Sequence, residues 1–149
     1  QHGVDRHSKT IIAMNIELLL DYCVRFYERQ FITRNEVNRD ILVRFENVLD
    51  EYFVSDRPQQ IGLPSVGYCA GKLHLSPNYF GDLIKKETGR TAQEHIQMKL
   101  IDLAKERVFD TGKSISEIAY ELGFKYPQHF TRLFKRIVGQ TPNQYRMMN

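Results

Sequence analysis

Gln128, Thr131, Arg132, Lys135 and Arg136 recur at the three- and four-residue intervals that gather side chains on one side of a helix. That row carries amide, hydroxyl, guanidinium and ammonium donors, the equipment for hydrogen bonding to a polar, anionic surface. An arginine can donate two bonds to guanine O6 and N7 and a glutamine can pair with adenine N6 and N7, each worth ~1–3 kcal/mol of discrimination between bases. Lys135 and Arg136, at the far end of the row, suit phosphate oxygens. Fifty residues earlier the same intervals hold Asn78, Gly81, Asp82, Lys85 and Lys86. There the candidate base-facing groups are Asn78, Gly81 and Asp82, with Lys85 and Lys86 placed for phosphate.

Each of these residues also has an ordinary explanation. Arg132 could be a solvated arginine paired with a carboxylate, Asp82 could pair with Lys85 or Lys86 along its helix, and the lysines could keep a charged face wet. Ser76 and Tyr126, just before the two rows, are candidates for orienting backbone amides toward phosphate, although Ser76 is also a plain helix cap. His129 could touch phosphate or serve a structural role.

What raises the rows above background is that they sit in a repeat. Residues 76–91 and 126–141 agree at Pro77/Pro127, Phe80/Phe130, Leu83/Leu133, Lys85/Lys135, Gly89/Gly139 and Thr91/Thr141. They differ mostly where a helix would face outward, so one scaffold carries two sets of exposed groups. Phe80, Leu83 and Ile84 are the expected inner face of the first copy; Phe130, Leu133, Phe134 and Ile137 that of the second. Ahead of each lies a short apolar helix, Val66, Cys69, Ala70 and Leu73 in one case and Ile115, Ile118, Ala119 and Leu122 in the other. A tight break follows each, at His74 and at Gly123, and the second break is one residue longer. Helix, turn and second helix with a polar outer face is the helix-turn-helix arrangement, here present twice.

Between the copies, Thr91 and Glu94 open a helix that runs to about residue 110, with Ile96, Leu100, Leu103, Ala104 and Val108 apolar. About 20 residues at ~1.5 Å each give ~30 Å, close to the ~34 Å between successive major-groove windows on one side of a duplex. Ser114 with Glu117 and Thr141 with Gln144 supply further capping boxes. Met98 and Tyr145 are expected in the core.

Upstream, the apolar period predicts a helix over 9–30, with Ile12, Ile16, Leu19, Cys23 and Phe26 or Tyr27 on one face. A second is expected from Thr33 and Glu36, read as a capping box, to about residue 54, with Val37, Ile41, Phe45, Val48 and Tyr52 in a stripe. Two such helices with a short turn make an antiparallel hairpin. The stretch 55–64, rich in Pro, Gly and polar residues, marks the boundary. The expected architecture is therefore all-α: a helical hairpin over 1–60, as linker or dimerisation segment, then a double helix-turn-helix domain over 61–149.

The 149 residues are 42% hydrophobic and 26% charged, ordinary for one soluble globular chain. Residues 67–149 hold 13 Lys/Arg against 8 Asp/Glu, whereas residues 1–66 hold 8 against 10, so the basic half is the repeated half. The apolar runs at 11–14 and 18–20 fall far short of the ~20 residues that span a bilayer, and no membrane association is expected. No signal peptide is visible. Cys23 and Cys69 form no CxxC pair and lie in apolar stripes, which predicts two buried, reduced thiols in a cytoplasmic protein. His2, His7, His74, His95 and His129 show no metal-ligand spacing, and no phosphate-binding glycine loop or nucleophile motif is present. Neither an enzyme nor a cofactor or metal site is expected.

With these elements in place, residues 63–146 resemble the DNA-binding domain of AraC/XylS-type transcription regulators. The resemblance is carried most clearly by SISEIAYELGF at 114–124 and HFTRLFKRIVGQTPNQYR at 129–146. It implies a seven-helix domain whose two helix-turn-helix units insert recognition helices into adjacent major grooves of double-stranded DNA. By analogy with the family it implies an activator, with RNA polymerase as a further partner. Members usually carry this domain behind a sensing or dimerising domain. The opening Gln1 in place of Met accordingly reads as the start of a fragment without its sensor, and the hairpin as a segment that mediates homodimerisation or docking. Gly81 and Asp82 depart from the family pattern, since a long hydrogen-bonding or basic side chain is common there; Arg132 follows it. The competing reading is a helical protein-interaction module whose basic faces bind an acidic partner. Base substitution in a candidate site separates the two, because only the DNA reader loses ~1–3 kcal/mol per altered contact.

Overall fold

A computed structural model describes residues 6–148; Gln1 and His2 lie outside the described residues. The described residues form eight helices and no strand: α1 (Arg6–Val54), α2 (Arg57–Ile61), α3 (Val66–Lys72), α4 (Pro77–Thr88), α5 (Ala92–Arg107), α6 (Ile115–Glu121), α7 (Pro127–Val138) and α8 (Pro142–Met148). The all-α expectation holds. The chain divides into two compact units, residues 1–40 and residues 41–149.

The N-terminal hairpin is not present. Residues 9–54 belong to one uninterrupted helix, and the turn expected near residue 31 is absent. Nothing between Phe31 and Glu36 obliges a break, since the stretch has neither Gly nor Pro. Thr33 does not cap: its Oγ1 donates back to the Arg29 carbonyl at 3.0 Å, the bond of a threonine inside a helix. In the first unit Ile12, Ile16, Leu19, Cys23 and Phe26 all lie exposed. Cys23 is therefore not the buried thiol expected from its stripe.

The second unit begins at Ile41, some twenty residues before the boundary read from the sequence. Ile41, Phe45, Leu49, Tyr52 and Phe53 of α1 are buried in the same core as Phe80, Ile96 and Leu100. Phe45 meets Phe80 edge-on with ring centroids 4.9 Å apart, and Lys99 of α5 pairs with Asp50. The stretch 55–64 is no open linker either. It holds α2, opened by a proline in the first turn, where the missing N–H costs nothing. Tyr52 Oη donates to the Gly62 carbonyl at 2.6 Å, and Arg57 donates to Tyr68 Oη.

The two helix-turn-helix turns are built alike. In the first, the Leu75 amide donates to the Ala70 carbonyl (2.9 Å) and the His74 amide to Gly71 (3.1 Å); in the second, Phe124 donates to Ala119 (3.0 Å) and Gly123 to Tyr120 (3.1 Å). Both are Schellman closures, which need a left-handed residue after the helix. His74 supplies it at φ 57° and Gly123 at φ 104°. At Gly123 a side chain is also excluded by space, because a Cβ would come within 2.9 Å of the Gly62 carbonyl carbon and 3.1 Å of the Pro58 oxygen. Glycine there lets α2 lie against the second turn.

The connecting helix α5 is capped by Thr91, whose Oγ1 accepts from the Glu94 amide at 3.1 Å. It has 16 residues, about 24 Å at ~1.5 Å per residue, a turn less than expected. The carbonyl of its C-cap, Val108, accepts from Arg146 of α8, and Phe109 leaves the helix to meet the Tyr145 ring at 5.4 Å.

Candidate nucleic-acid interface

Recognition helices must be held rigidly while one face stays open, and α4 and α7 meet both conditions. In α4, Phe80 and Ile84 are fully buried and Leu83 nearly so; in α7, Phe130 and Phe134 are fully buried. Each helix opens on a proline and closes on a left-handed glycine, Gly89 at φ 77° and Gly139 at φ 90°. Ile137 departs from expectation. It is 40% exposed in the last turn of α7 rather than turned inward.

The open faces carry the residues singled out above. Along α4, Asn78, Asp82, Lys85 and Lys86 are exposed and Gly81 is half-buried; along α7, Gln128, His129, Arg132, Lys135 and Arg136 are exposed and Thr131 is half-buried. Asp82 makes no ion pair with Lys85 or Lys86 among the described residues, and Arg132 has no carboxylate partner there. Lys85 Nζ instead donates to the Gly89 carbonyl at 2.9 Å, closing the C-terminus of its own helix. Arg136 Nη2 donates to Gln97 Oε1 of α5 at 3.1 Å. A phosphate would have to draw both cations from these bonds.

The helix entrances differ. Ser76 caps α4, its Oγ accepting from the Tyr79 amide at 3.2 Å, whereas Tyr126 makes no side-chain cap and packs its ring edge-on to His129 at 5.4 Å. The additional residue of the second turn is Lys125, exposed, with Nζ 5.6 Å from the Tyr126 ring centre. Lys125 was not among the residues selected from sequence, although the longer turn was visible. Tyr79, 55% exposed beside Asn78, was likewise passed over. Lys125, Tyr126 and His129 thus form a cationic and aromatic group at the head of α7.

Two titrating groups lie behind these faces. Burial pushes the Cys69 thiol up to about 11, which keeps it protonated and inert in the core. His95, at 2.9 Å from Thr88 Oγ1 and edge-on to Phe45, is held below the usual histidine value, first by burial and then by Arg90.

This arrangement has relatives. A family model described as a helix-turn-helix domain matches residues 69–148. The chain is 36% identical over 77 residues to the uncharacterized HTH-type transcriptional regulator YtdP of Bacillus subtilis, covering 52% of this chain and 10% of that protein. It is 33% identical over 144 residues to the transposon Tn10 TetD protein of Escherichia coli, covering 96% of this chain and 91% of that one. Among solved structures it is similar to the C-terminal domain of AraT, a response regulator from Geobacillus stearothermophilus. There the TM-score is 0.63 at 27% identity, over 73% of this chain and 85% of that one. The chain thus spans nearly all of one curated relative and about a tenth of another.

Proposed function

Because the chain belongs to the AraC/XylS-type family of helix-turn-helix, DNA-binding transcription regulators, we propose that it reads double-stranded DNA with α4 and α7 in adjacent major-groove windows. The observation that carries this reading is the doubled scaffold with two exposed polar faces. Gln128, Thr131 and Arg132 contact base edges in one window, Arg132 as a guanine reader, and Asn78, Gly81 and Asp82 face the other. Ser76, Lys85, Lys86, Tyr126, His129, Lys135 and Arg136 contact phosphates. Since Gly81 has no side chain to offer and Asp82 repels phosphate, α7 is the stronger reader and α4 positions the chain.

The protein acts as an activator and engages RNA polymerase; it performs no catalysis and works in the cytoplasm. Among the described residues no helix is long and apolar enough to cross a membrane. The exposed apolar residues Ile12, Ile16, Leu19 and Phe26 support homodimerisation or docking through the first unit. Sedimentation of the full chain against one shortened to residues 41–149 tests this, and equal monomeric masses reject it.

The DNA reading is tested by selecting sites from a random duplex library and substituting each position of the winner. Losses of ~1–3 kcal/mol at discrete positions are expected. A flat profile would favour an acidic protein partner instead.

A further inference from the structure

The connecting helix stops after 16 residues, so its length alone does not set the interval between the recognition helices. Direct contact of α7 with α5, where Arg136 donates to Gln97 Oε1 at 3.1 Å, contributes, and so does the loop over 108–113 that joins the end of α5 to α6. Lys113 ties that loop to Glu121 of α6 at 2.8 Å, the Gly112 amide donates to Asp110 Oδ1 at 3.1 Å, and one side chain from α8 binds its carbonyls. Arg146, half-buried on α8, donates through Nε to the Val108 carbonyl and through Nη2 to Asp110 (3.2 Å) and Lys113 (3.0 Å). These three carbonyls run from the end of α5 to the residue before Ser114, the cap of α6. The planar fork of a guanidinium can span such a set, whereas an ammonium is a single point.

Arg146 reaches the loop from a helix that is itself tied to the reading face. Tyr145, its neighbour, packs between Phe134 of α7 at 5.6 Å and Phe109 of the loop at 5.4 Å. Arg146 and Tyr145 together therefore join the back of α7 to the end of α5. The first helix-turn-helix has a different brace, in which Phe45 of α1 lies against Phe80 of α4 and His95 of α5.

We propose that Arg146 is a positioning residue that fixes the interval between α4 and α7, and hence the spacing of the two half-sites the chain accepts. This rests on the two-window reading above. Arg146 touches no DNA in it. Inserting one base pair between windows shifts the second by ~3.4 Å and turns it by about a tenth of a helical turn, a change that a rigid pair of helices rejects and a loosened pair absorbs.

The experiment measures binding of the full chain to its selected site and to versions with one base pair inserted or removed between half-sites. For the wild type, each change is expected to weaken binding by about tenfold or more, one decade of Kd. For Arg146→Ala the best site weakens while the misspaced sites weaken much less, so the spacing penalty shrinks to about threefold or below. Met147→Ala, an exposed neighbour on α8, keeps the wild-type profile. Should Arg146→Ala fail to fold, Arg146→Lys, which keeps the charge and loses the fork, is read by the same criteria. Uniform weakening at every spacing overturns the inference, because loss of stability alone acts that way. A wild-type chain indifferent to spacing removes the two-window reading and the inference with it.

Discussion

The two helix-turn-helix units share what they bury and differ in what they expose. Phe80 and Phe130 occupy equivalent buried places, as do Ile84 and Phe134, and Gly89 and Gly139 end their helices in the same left-handed conformation. On the open faces Asn78 becomes Gln128, Gly81 becomes Thr131 and Asp82 becomes Arg132. A helix-turn-helix needs a fixed core to hold its second helix, but nothing in that core dictates which base the helix meets. The repeat thus separates a structural demand, met in the same way twice with some exchange of side chains, from a chemical one, met differently each time.

The largest effects should be symmetric. Phe80→Ala and Phe130→Ala each remove a fully buried ring and should cost ~3–5 kcal/mol in denaturant unfolding. A small loss at either one would mean that the units do not share a core. The next effects should be asymmetric. Arg132→Ala is expected to lose ~1–3 kcal/mol of binding and to relax preference at one base position, whereas Asp82→Ala should leave affinity unchanged or improved. Equal losses in a binding-profile assay would remove the distinction between reader and positioner.

The entrances offer a smaller contrast. Ser76→Ala deletes a cap bond and should lower stability by about 1 kcal/mol; Tyr126→Ala, at a position without one, should not, as thermal melts would show. Lys135→Ala should weaken all sequences alike and shallow the salt slope by about one. Lys85→Ala should do less, because Lys85 already serves the Gly89 carbonyl.

His95 of the connecting helix α5 lies against Phe45, beside the brace of the first helix-turn-helix. His95 binds its proton more weakly folded than unfolded, so its contribution is intact above the unfolded value near 6.5 and fades as pH falls through that value toward the lower folded one. His95→Gln should flatten that acid limb of the stability profile.

Much of the second compact unit was legible because its punctuation is local. Ser76, Thr91, Ser114 and Thr141 each accept from the amide three residues on, as their sequence neighbours implied. Thr33 offered the same signal before Glu36 and was misleading: with no glycine or proline beside it, the helix simply continues and the hydroxyl turns back to Arg29. Burial was harder to read than periodicity. Cys23 and Cys69 both lie in apolar stripes, yet only Cys69 has a core to enter. The stripe of Ile41, Phe45 and Tyr52 gave no hint that it completes the first reading unit rather than a separate hairpin, since that depends on Phe80 and Lys99, distant in sequence. On the open faces of α4 and α7 the exposed rows followed from helical spacing alone, but Lys125 did not, because it lies in the turn ahead of α7, beside the Tyr126 ring.

The most direct test of the central claim is a footprint of the full chain on its selected duplex. Two protected major-groove windows about one helical turn apart are expected, with Arg132→Ala altering base preference in only one of them. A single protected window, or no enriched site from a folded chain, would contradict the two-unit reader.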